Sequence, residues 1–367
     1  MRVLVTTPDF AMPGGVGNYF GVLRPFLENV AEYHTVGRRS QRESWLRSTR
    51  RLVADYTRFV WRMAKGSYDL VHLNPSFALK SLPRDAMFLL IAKLFGCPVL
   101  VFIRGWDPDA ERRVALRFRW LFRLVYGRAD AFLVLAAEYS RRLRELGYRG
   151  FIEQETTVAS NAGRAAARLR ERQPNELRIL FLARVEKAKG IYELIEAIRR
   201  IRARCPQAEL VIAGDGAERE RAQEYVVRAG ADGVRFTGHV TGTDKIRLYE
   251  DADVFVLASY AEGMPNSVLE AMAQGLPVIT RPVGGIADFF EDGVMGFLTE
   301  SLDPGVYEKL LERIMREPQL AARMGEYNRR YAAHTFSAET VATRLLAIYE
   351  RVIAGAGTAP GDRSVAA

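Results

Sequence analysis

Residues 254–280 read VFVLASYAEGMPNSVLEAMAQGLPVIT, and this stretch indicates both a fold and a binding site. The run from Val254 to Leu257 predicts a buried strand, and the apolar helix that follows ends at a Gly-x-Pro sequence. Glu262 would lie on the loop that leaves the strand, and Glu270 a turn or two into the helix. Ligands of parallel α/β sheets bind at this edge. Because a helix start attracts anions and a carboxylate can accept hydrogen bonds from hydroxyls, the pair suits a ligand that carries phosphates and sugars.

The bulk composition predicts a soluble protein with two domains. The chain has 367 residues, which is too long for one core. Its 49% apolar and 26% charged residues are typical of globular proteins. We expect neither a transmembrane helix nor a secretory signal. Cys97 and Cys205 are far apart in sequence, so we expect them to be small buried side chains in a protein of the reducing cytoplasm.

The positive charge is concentrated in the first half of the chain. The whole chain has a net charge of +9. Residues 1–160 contain 25 Lys and Arg and 15 Asp and Glu, a net charge of +10, which leaves −1 for the remainder. This asymmetry predicts an anionic partner for the first half: a membrane surface, a phosphorylated acceptor or nucleic acid.

Apolar runs and helical patterns alternate along both halves, which predicts βαβ units and mostly parallel sheets. In the first half we predict strands near 2–7, 69–73, 98–103 and 131–135, and helices near 16–30, 44–65, 85–95, 111–127 and 138–147. A linker is predicted from Asn161 to Pro174. Beyond it we predict strands at 177–182, 209–213, 235–238, 254–257 and 277–280, a helix at 191–203 and a last helix at 338–353.

The predicted fold class is therefore α/β, with two doubly wound, Rossmann-like domains that face each other across a cleft. We place the domains at residues 1–165 and 175–335. The final stretch, 355–367, is small and polar, and we expect it to be disordered.

A glycine-rich turn, PGGVGNY at residues 13–19, follows the first predicted strand. Glycines let the backbone turn sharply and approach a ligand closely, and the next helix offers its N-terminus to an anion. The alternative is a tight turn with no ligand. The spacing matches neither a phosphate-binding Walker loop nor the dinucleotide fingerprint.

A second motif, ARVEKAKG at residues 183–190, follows the first strand of the second half. Arg184 and Lys189 would lie on either side of a strand-to-helix turn, where two cations can neutralise a diphosphate and stabilise a departing phosphate. The alternative is a charged loop in water. Similarly, Glu262 and Glu270 could be a surface residue and a residue that the helix dipole favours.

The order of these motifs along the chain is more specific than any one of them. It runs from Gly14-Gly15-x-Gly17 through Arg184 and Lys189-Gly190 to Glu262-Gly263-x-Pro265-Asn266, Glu270 and Gly275-x-Pro277. In this order the chain resembles the retaining glycosyltransferases with the GT-B fold, of the family-4 type that includes many bacterial polysaccharide and lipid glycosyltransferases. The resemblance covers nearly the whole chain and implies transfer of a sugar from a UDP- or GDP-sugar to a saccharide or lipid-linked acceptor.

The resemblance also implies roles for individual residues. Arg184 and Lys189 would hold the donor diphosphate, Glu262 would contact the donor sugar, and Glu270 would accept hydrogen bonds from the ribose. Gly15 would close over the diphosphate, and His239 would lie near the base. The donor would also meet the backbone of Gly263, Met264, Pro265, Asn266 and Ser267. Catalysis would rest on Arg184, Lys189 and Glu262 without a metal or other cofactor, and the last helix, 337–354, would pack back on the first domain.

The chain departs from the family at Arg104. Family members often have a histidine at this place, near the donor sugar and the attacking hydroxyl. Arginine cannot act as a base at neutral pH, but it can hold a phosphate or a carboxylated sugar. Arg104 and Asp107 are therefore candidate acceptor-binding residues, although Asp107 could equally be a turn carboxylate. Of the four histidines, we expect His72 at the end of a strand and His34 and His334 on the surface.

Residues 44–65 and 117–128 mix arginines with apolar side chains at close to helical spacing. Such stripes can lie on an anionic bilayer, which would suit a polyprenyl-diphosphate-linked acceptor and a peripheral location on the inner face of the cell membrane. The alternative is ordinary helices with one face in the core. Other functions compatible with the sequence are a nucleotide-sugar epimerase or a sugar phosphorylase of the same fold. We do not expect a nucleic-acid-binding protein, because no such module is recognisable. The βαβ layout also allows a dinucleotide oxidoreductase, but the glycine spacing argues against it.

Overall fold

The computed structural model describes residues 1–12, 14–37, 44–160, 162 and 176–356. The described chain divides into two compact units. Unit 1 contains Met1–Val158 and the last helix, which begins at Ala338, and unit 2 contains Ala159–Ser337. Most of the predicted linker, all but Ala162, lies outside the described residues, as does the predicted tail from residue 357 onward.

Unit 1 is built on a six-stranded parallel sheet with the order β2-β1-β3-β4-β5-β6. Its strands are β1 (Val3–Thr7), β2 (Ala31–Thr35), β3 (Leu70–Leu73), β4 (Val99–Ile103), β5 (Ala131–Val134) and β6 (Phe151–Gln154). Its helices before β6 are α1 (Gly15–Leu27), α2 (Trp45–Lys65), α3 (Ser81–Leu94), α4 (Pro108–Arg113), α5 (Arg119–Val125) and α6 (Ala137–Leu146). A π-helical turn, Val114–Phe118, joins α4 to α5.

The two faces of this sheet pack against different helices, because successive strand residues point to opposite sides. Val71 and Leu73 belong to an apolar cluster with side chains of α2, α3, α5 and α6. His72, between them, faces the other way: its Nδ1 lies 2.7 Å from the hydroxyl of Tyr349 in the last helix. The Arg344 guanidinium of the same helix pairs with Glu155 at 2.6 Å. These contacts hold the last helix to unit 1.

Unit 2 has a second parallel sheet of six strands, in the order β12-β11-β10-β7-β8-β9. Its strands are β7 (Glu176–Leu182), β8 (Gln207–Ala213), β9 (Val234–Gly238), β10 (Val254–Leu257), β11 (Val278–Thr280) and β12 (Gly296–Leu298). Its helices are α7 (Ile191–Ile201), α8 (Arg219–Ala229), α9 (Gly242–Glu250), α10 (Asn266–Ala273), α11 (Ile286–Phe289), α12 (Pro304–Arg316) and α13 (Pro318–Thr335), and α14 (Ala338–Ala356) returns to unit 1.

The predicted fold class, α/β with two doubly wound parallel sheets, is confirmed. The sequence prediction missed three strands, β2, β6 and β12. All three lie at sheet edges. β2 and β6 are only partly buried, so the apolar run that marks a central strand is absent, and β12 has only three residues. The prediction that His34 is a surface residue is wrong: it lies in β2 and is buried, with Nε2 3.1 Å from the carbonyl oxygen of Asp55.

Candidate functional site

The strand order of unit 2 reverses between β7 and β10, and this reversal creates the site. From β7 the chain proceeds through β8 and β9 on one side and through β10, β11 and β12 on the other. The loops that leave the carboxyl ends of β7 and β10 therefore diverge, which opens a crevice of the kind that binds ligands in doubly wound sheets. The loop after β7 carries Lys189, and the loop after β10 carries Glu262.

The side chains of Lys189 and Glu262 form an ion pair in this crevice. Lys189 ends a single 3₁₀ turn, and its Nζ lies 2.6 Å from Oε1 of Glu262. Both side chains are mostly buried. Two residues that lie 73 positions apart in sequence are thus brought into contact, and they present a cation and a carboxylate to the same small volume.

Close backbone contacts fix the loop that carries Glu262 on both sides. The N–H of Tyr260 donates to the carbonyl oxygen of Ala188 at 2.8 Å, and the N–H of Gly285 donates to that of Gly263 at 2.7 Å. At Gly284, with φ of +56°, a Cβ would lie 2.2 Å from the carbonyl oxygen of Glu262. Only glycine fits there, so the loop owes its position to a residue outside it.

Glu270 lies on α10 and is almost fully buried, with 3% of its surface exposed. Its Oε1 accepts hydrogen bonds from the Ser160 hydroxyl at 2.9 Å and from Nζ of Lys245 at 2.7 Å. Its Oε2 accepts one from the Tyr249 hydroxyl at 3.1 Å. Burial, and then the adjacent carboxylate, raise the pKa of Tyr249 well above its ordinary value, so this hydroxyl remains a donor. The partners compensate the cost of burying a carboxylate.

Sequence reasoning missed Ser160, Lys245 and Tyr249 as partners of Glu270. Lys245 and Tyr249 are four residues apart on α9 and therefore lie on one side of that helix. That spacing is visible in the sequence, but nothing in it indicates that this side faces Glu270.

The segment Gly263 to Ser267 leads from the loop into α10, which begins at Asn266. The residue before the helix, Pro265, provides no side-chain hydrogen bond to the helix start, and Met264 packs against the core. The first backbone N–H groups of α10 are therefore not capped by the residue that precedes it, and a helix start of this kind favours an anion.

The structure does not bring Arg184 into the buried pair. Its side chain is 73% exposed and pairs with Glu186 at 2.5 Å. His239 is exposed on the loop after β9, at the same edge of the sheet as the Lys189 loop.

In unit 1, Gly15 is the first residue of α1, at the carboxyl end of β1. A Cβ at Gly14 or Gly15 would meet no atom within 4 Å, so internal packing does not explain these glycines. Pro13 of the same motif lies outside the described residues.

Arg104 follows β4 and lies on aromatic rings. Its guanidinium carbon is 4.0 Å from the ring centre of Tyr19 and 4.7 Å from that of Phe102, and Nη2 donates to the Thr157 hydroxyl at 3.0 Å. Burial lowers the pKa of Arg104 to about 10, and its Nη1 is buried without a hydrogen-bond partner among the described residues. The guanidinium as a whole is half-buried and lies against Tyr19, and an anionic ligand would pair with this nitrogen.

Other polar atoms near this end of the unit 1 sheet are also buried without a partner within the described chain. They are Thr7 Oγ1, Tyr19 Oη, His72 Nε2 and Asn74 Oδ1. Asp107, by contrast, has a structural role: its carboxylate caps α4 by accepting a hydrogen bond from the N–H of Asp109 at 3.0 Å.

Within the described ranges, no three His, Cys, Asp or Glu side chains are grouped so that they could hold a metal ion. In the same part of the chain, no helix combines the length and apolar character needed to cross a membrane.

Comparisons with known proteins agree on one family. Residues 3–175 match the glycosyl transferase 4-like domain, and residues 166–331 match the glycosyl transferases group 1 family. Glycogen synthase of Mycobacterium tuberculosis is 30% identical over 256 residues, which are 67% of this chain and 59% of that protein. The lipopolysaccharide core biosynthesis glycosyltransferase LpsE of Rhizobium meliloti is 31% identical over 60% of this chain and 64% of its own length. The chain thus spans less than two thirds of the length of these relatives.

The fold also matches solved structures. The crystal structure of HepE from Anabaena in complex with UDP and glucose superposes with a TM-score of 0.71. That match covers 95% of this chain and 99% of the other, at 18% identity. Taken with the two family matches, which together extend from residue 3 to residue 331, it leads to one conclusion. The chain belongs to the glycosyltransferases with the GT-B fold, of the group 1 or family-4 type.

Proposed function

We propose that this protein is a retaining glycosyltransferase that moves a sugar from a UDP- or GDP-sugar to a saccharide or lipid-linked acceptor. The observation that carries the proposal is the mostly buried ion pair of Lys189 and Glu262 at the strand-order reversal of unit 2, with Glu270 on the helix that follows. The relatives named as glycosyltransferases, and the neighbour bound to UDP and glucose, support this class of donor.

Each group in unit 2 has a defined task in this proposal. The ammonium of Lys189 binds the diphosphate and stabilises the charge that develops as the donor bond breaks. The carboxylate of Glu262 orients Lys189 and accepts a hydrogen bond from the donor sugar. Glu270 accepts hydrogen bonds from the ribose hydroxyls, and the start of α10 faces the sugar or phosphate. Arg184, which is exposed and paired with Glu186, binds the diphosphate as a second cation in this proposal.

The reaction needs no protein base in this account. The bond from the anomeric carbon to the phosphate oxygen breaks, and the bond to the acceptor oxygen forms on the same face of the sugar. The departing phosphate oxygen takes the proton of the acceptor hydroxyl. This fits a chain that has Arg104 where relatives often have histidine, because arginine cannot accept that proton.

We propose that the acceptor carries an anionic group held by Arg104. The buried N–H of Arg104 without a partner in the described chain supports this, since a phosphate or carboxylate would satisfy it. A polyprenyl-diphosphate-linked saccharide meets this requirement and would place the enzyme on the cytoplasmic face of the cell membrane, in cell-surface polysaccharide synthesis. The name of the LpsE relative supports the same class of pathway.

Arg104→Ala should lower the rate of transfer strongly, while nucleotide binding, measured by calorimetry, should stay unchanged.

A transfer assay tests the proposed reaction. The full chain is incubated with a panel of UDP- and GDP-sugars and candidate acceptors, and NMR determines the anomeric configuration of the product. Transfer with the configuration of the donor supports the proposal. Inverted product, epimerised donor without transfer, or sugar phosphate formed from free phosphate would contradict it. Because we propose a metal-independent reaction, the rate should be the same with and without EDTA.

A further inference from the structure

A cluster of large apolar side chains faces solvent on unit 1, around α5. Leu116, Trp120 and Leu124 are 78%, 66% and 52% exposed, and they recur at intervals of four residues along one side of the helical segment. Phe118 and Leu121, beside them, are also exposed. We call these five side chains the α5 surface. Isolated exposed apolar residues are common, but five within nine positions form a patch that marks an interaction site.

The core does not need the α5 surface. The segment is attached to unit 1 through Val114, Phe122 and Tyr126, which are buried in the main apolar cluster of this unit. Arg119 also donates a hydrogen bond to the carbonyl oxygen of Glu145. The π-helical turn Val114–Phe118 inserts an extra residue before α5, and the whole stretch from residue 115 to 121 is exposed. The alternative of an ordinary helix with its apolar face in the core therefore does not describe these residues.

The charged side chains of the segment that carries the α5 surface have one sign, although Glu145 beside it is an exposed acid. Between residues 112 and 129 the sequence contains no Asp or Glu and six arginines, namely Arg112, Arg113, Arg117, Arg119, Arg123 and Arg128. Two acids close to this segment, Glu111 and Glu138, are paired with Arg142. The neighbouring helix α3 has exposed apolar side chains at Met87 and Leu94, and Phe95 directly after the helix is exposed too. Apolar and cationic groups are thus interleaved on one exposed segment.

We propose that the α5 surface docks on an anionic lipid bilayer, with Trp120 and the leucines in the interfacial region and the arginines on lipid phosphates. This docking rests on the proposed function in one respect: a lipid-linked acceptor would explain why the enzyme binds a membrane. Interleaved Trp, Leu and Arg are suited to a bilayer surface, because the apolar groups leave water while the long arginine side chains reach the headgroups. Helix α2 also exposes apolar side chains, at Leu46, Val53, Val60 and Trp61, beside arginines. The choice between α2 and the α5 surface is therefore decided by the quenching experiment below.

Vesicle sedimentation of the full chain tests the docking. Wild type should sediment with vesicles that contain phosphatidylglycerol and should remain in the supernatant with pure phosphatidylcholine. The Leu116→Ser/Trp120→Ser double variant should bind at least about tenfold less. The Arg113→Glu/Arg117→Glu variant should lose binding, and high salt should weaken binding of wild type. The control Val227→Ser, at a residue of unit 2 that is 83% exposed, should bind as wild type.

Tryptophan quenching shows which helix meets the lipid. Acyl chains that carry bromine quench only the indoles that enter the bilayer. The conservative variant Trp120→Phe should lose most of the quenching, whereas Trp61→Phe, at an exposed tryptophan of α2, should retain it. If Trp61→Phe lost the quenching instead, α2 would be the helix that meets the membrane, and the proposal would be overturned.

Two other outcomes would overturn the proposal. One is no sedimentation of wild type with anionic vesicles. The other is a dimer in lipid-free solution that the Leu116→Ser/Trp120→Ser variant dissociates, because the surface would then be covered by a second copy. Calorimetry with UDP and GDP on the same variants separates membrane docking from the proposed function. If the variants lose vesicle binding but keep nucleotide binding, docking is supported. If the protein binds vesicles but neither nucleotide, only the donor site is refuted.

Discussion

Lys189 and Glu262 form an ion pair in unit 2 that holds the ammonium group of Lys189 in place. A mostly buried ammonium next to a carboxylate has a fixed position, 2.6 Å from its partner. When a diphosphate binds, it would meet a cation that needs little reorganisation, and preorganised charge of this kind stabilises a transition state more than a mobile surface cation does.

Removal of this ammonium should affect turnover most. Lys189→Ala is expected to lower kcat by about 10²-fold to 10³-fold, because charge on the departing phosphate loses its main stabilising group and Glu262 loses its counter-ion. Steady-state kinetics with the donor identified by the transfer assay provide the measurement. Lys187→Ala is the matched control, since Lys187 lies in the same turn but is exposed. Equal kcat values for the two variants would show that Lys189 has no role in the chemical step.

At the residue scale, local spacing predicted part of the site. The interval from Glu262 to Glu270 and the motif around Lys189 were sufficient to predict residues that the structure places at the carboxyl edge of one sheet. The same reasoning grouped Arg184 with Lys189; the Arg184 side chain is exposed and paired with Glu186, and its role at the diphosphate stays a prediction. Rotamers and contacts over long sequence distances, such as that of Ser160 with Glu270, depend on packing that spacing alone does not contain.

At the element scale, the loop after β10 depends on the loop after β11. Gly284 has a positive φ, and its backbone lies against Glu262 and Gly263. A methyl group there would collide with both carbonyl oxygens, at 2.2 and 2.4 Å, so the loop that carries Glu262 would have to move.

The variant Gly284→Ala should therefore lose most activity and should also be less stable by about 1–3 kcal/mol. The matched control is Gly293→Ala. Gly293 has φ of +78°, but a methyl group at this position would meet no atom within 4 Å, so this variant has the strain of a positive φ without the collision. Thermal unfolding and kcat should be measured on both. Similar activity losses in the two variants would argue that the Gly284 contact does not position Glu262.

Elements were predicted where burial leaves a local pattern. Central strands such as β4 and β10 are continuous apolar runs, and the sequence prediction located them. Edge strands such as β2 mix buried and half-buried residues and were missed. The helix α5 is apolar on more than one side: Phe122 is buried in the core, whereas Trp120 and Leu124 are exposed, and spacing alone does not distinguish the two sides.

At the scale of the whole molecule, unit 1 is assembled from two separate parts of the chain. The last helix returns to it through Tyr349, which contacts His72, and through Arg344, which pairs with Glu155. The sequence pattern predicted that helix, but only the family resemblance indicated where it would pack. His72 and His34 are both buried within this unit.

These histidines should make unfolding pH-dependent. Burial lowers the pKa of His72 to about 3 and that of His34 to about 4, against about 6.5 in an unfolded chain. Both are neutral in the folded protein, so their stabilisation is complete above pH 6.5 and is lost as the pH falls toward 4 and 3. At pH 5 each should reduce the free energy of unfolding by about 2 kcal/mol.

Urea unfolding at pH 7.5 and pH 5 can isolate the contribution of His72. In His72→Leu the difference in stability between the two pH values should shrink by about 2 kcal/mol, whatever the absolute stability of the variant. His334→Leu, at an exposed histidine, should keep the difference of wild type. If His72→Leu also kept it, titration of the buried imidazole would not contribute.

The central claim is that unit 2 binds a nucleoside diphosphate through Lys189, Glu262 and Glu270. Its most direct test is calorimetric titration of the full chain with UDP and GDP. We predict that one of them binds at a single site. Binding should weaken by at least about tenfold in Glu270→Ala and Glu270→Gln, because the ribose hydroxyls lose a carboxylate acceptor, and it should be unchanged in Glu224→Ala, at an exposed glutamate of α8. Failure of both nucleotides to bind, or binding by both Glu270 variants with the affinity of wild type, would contradict the account.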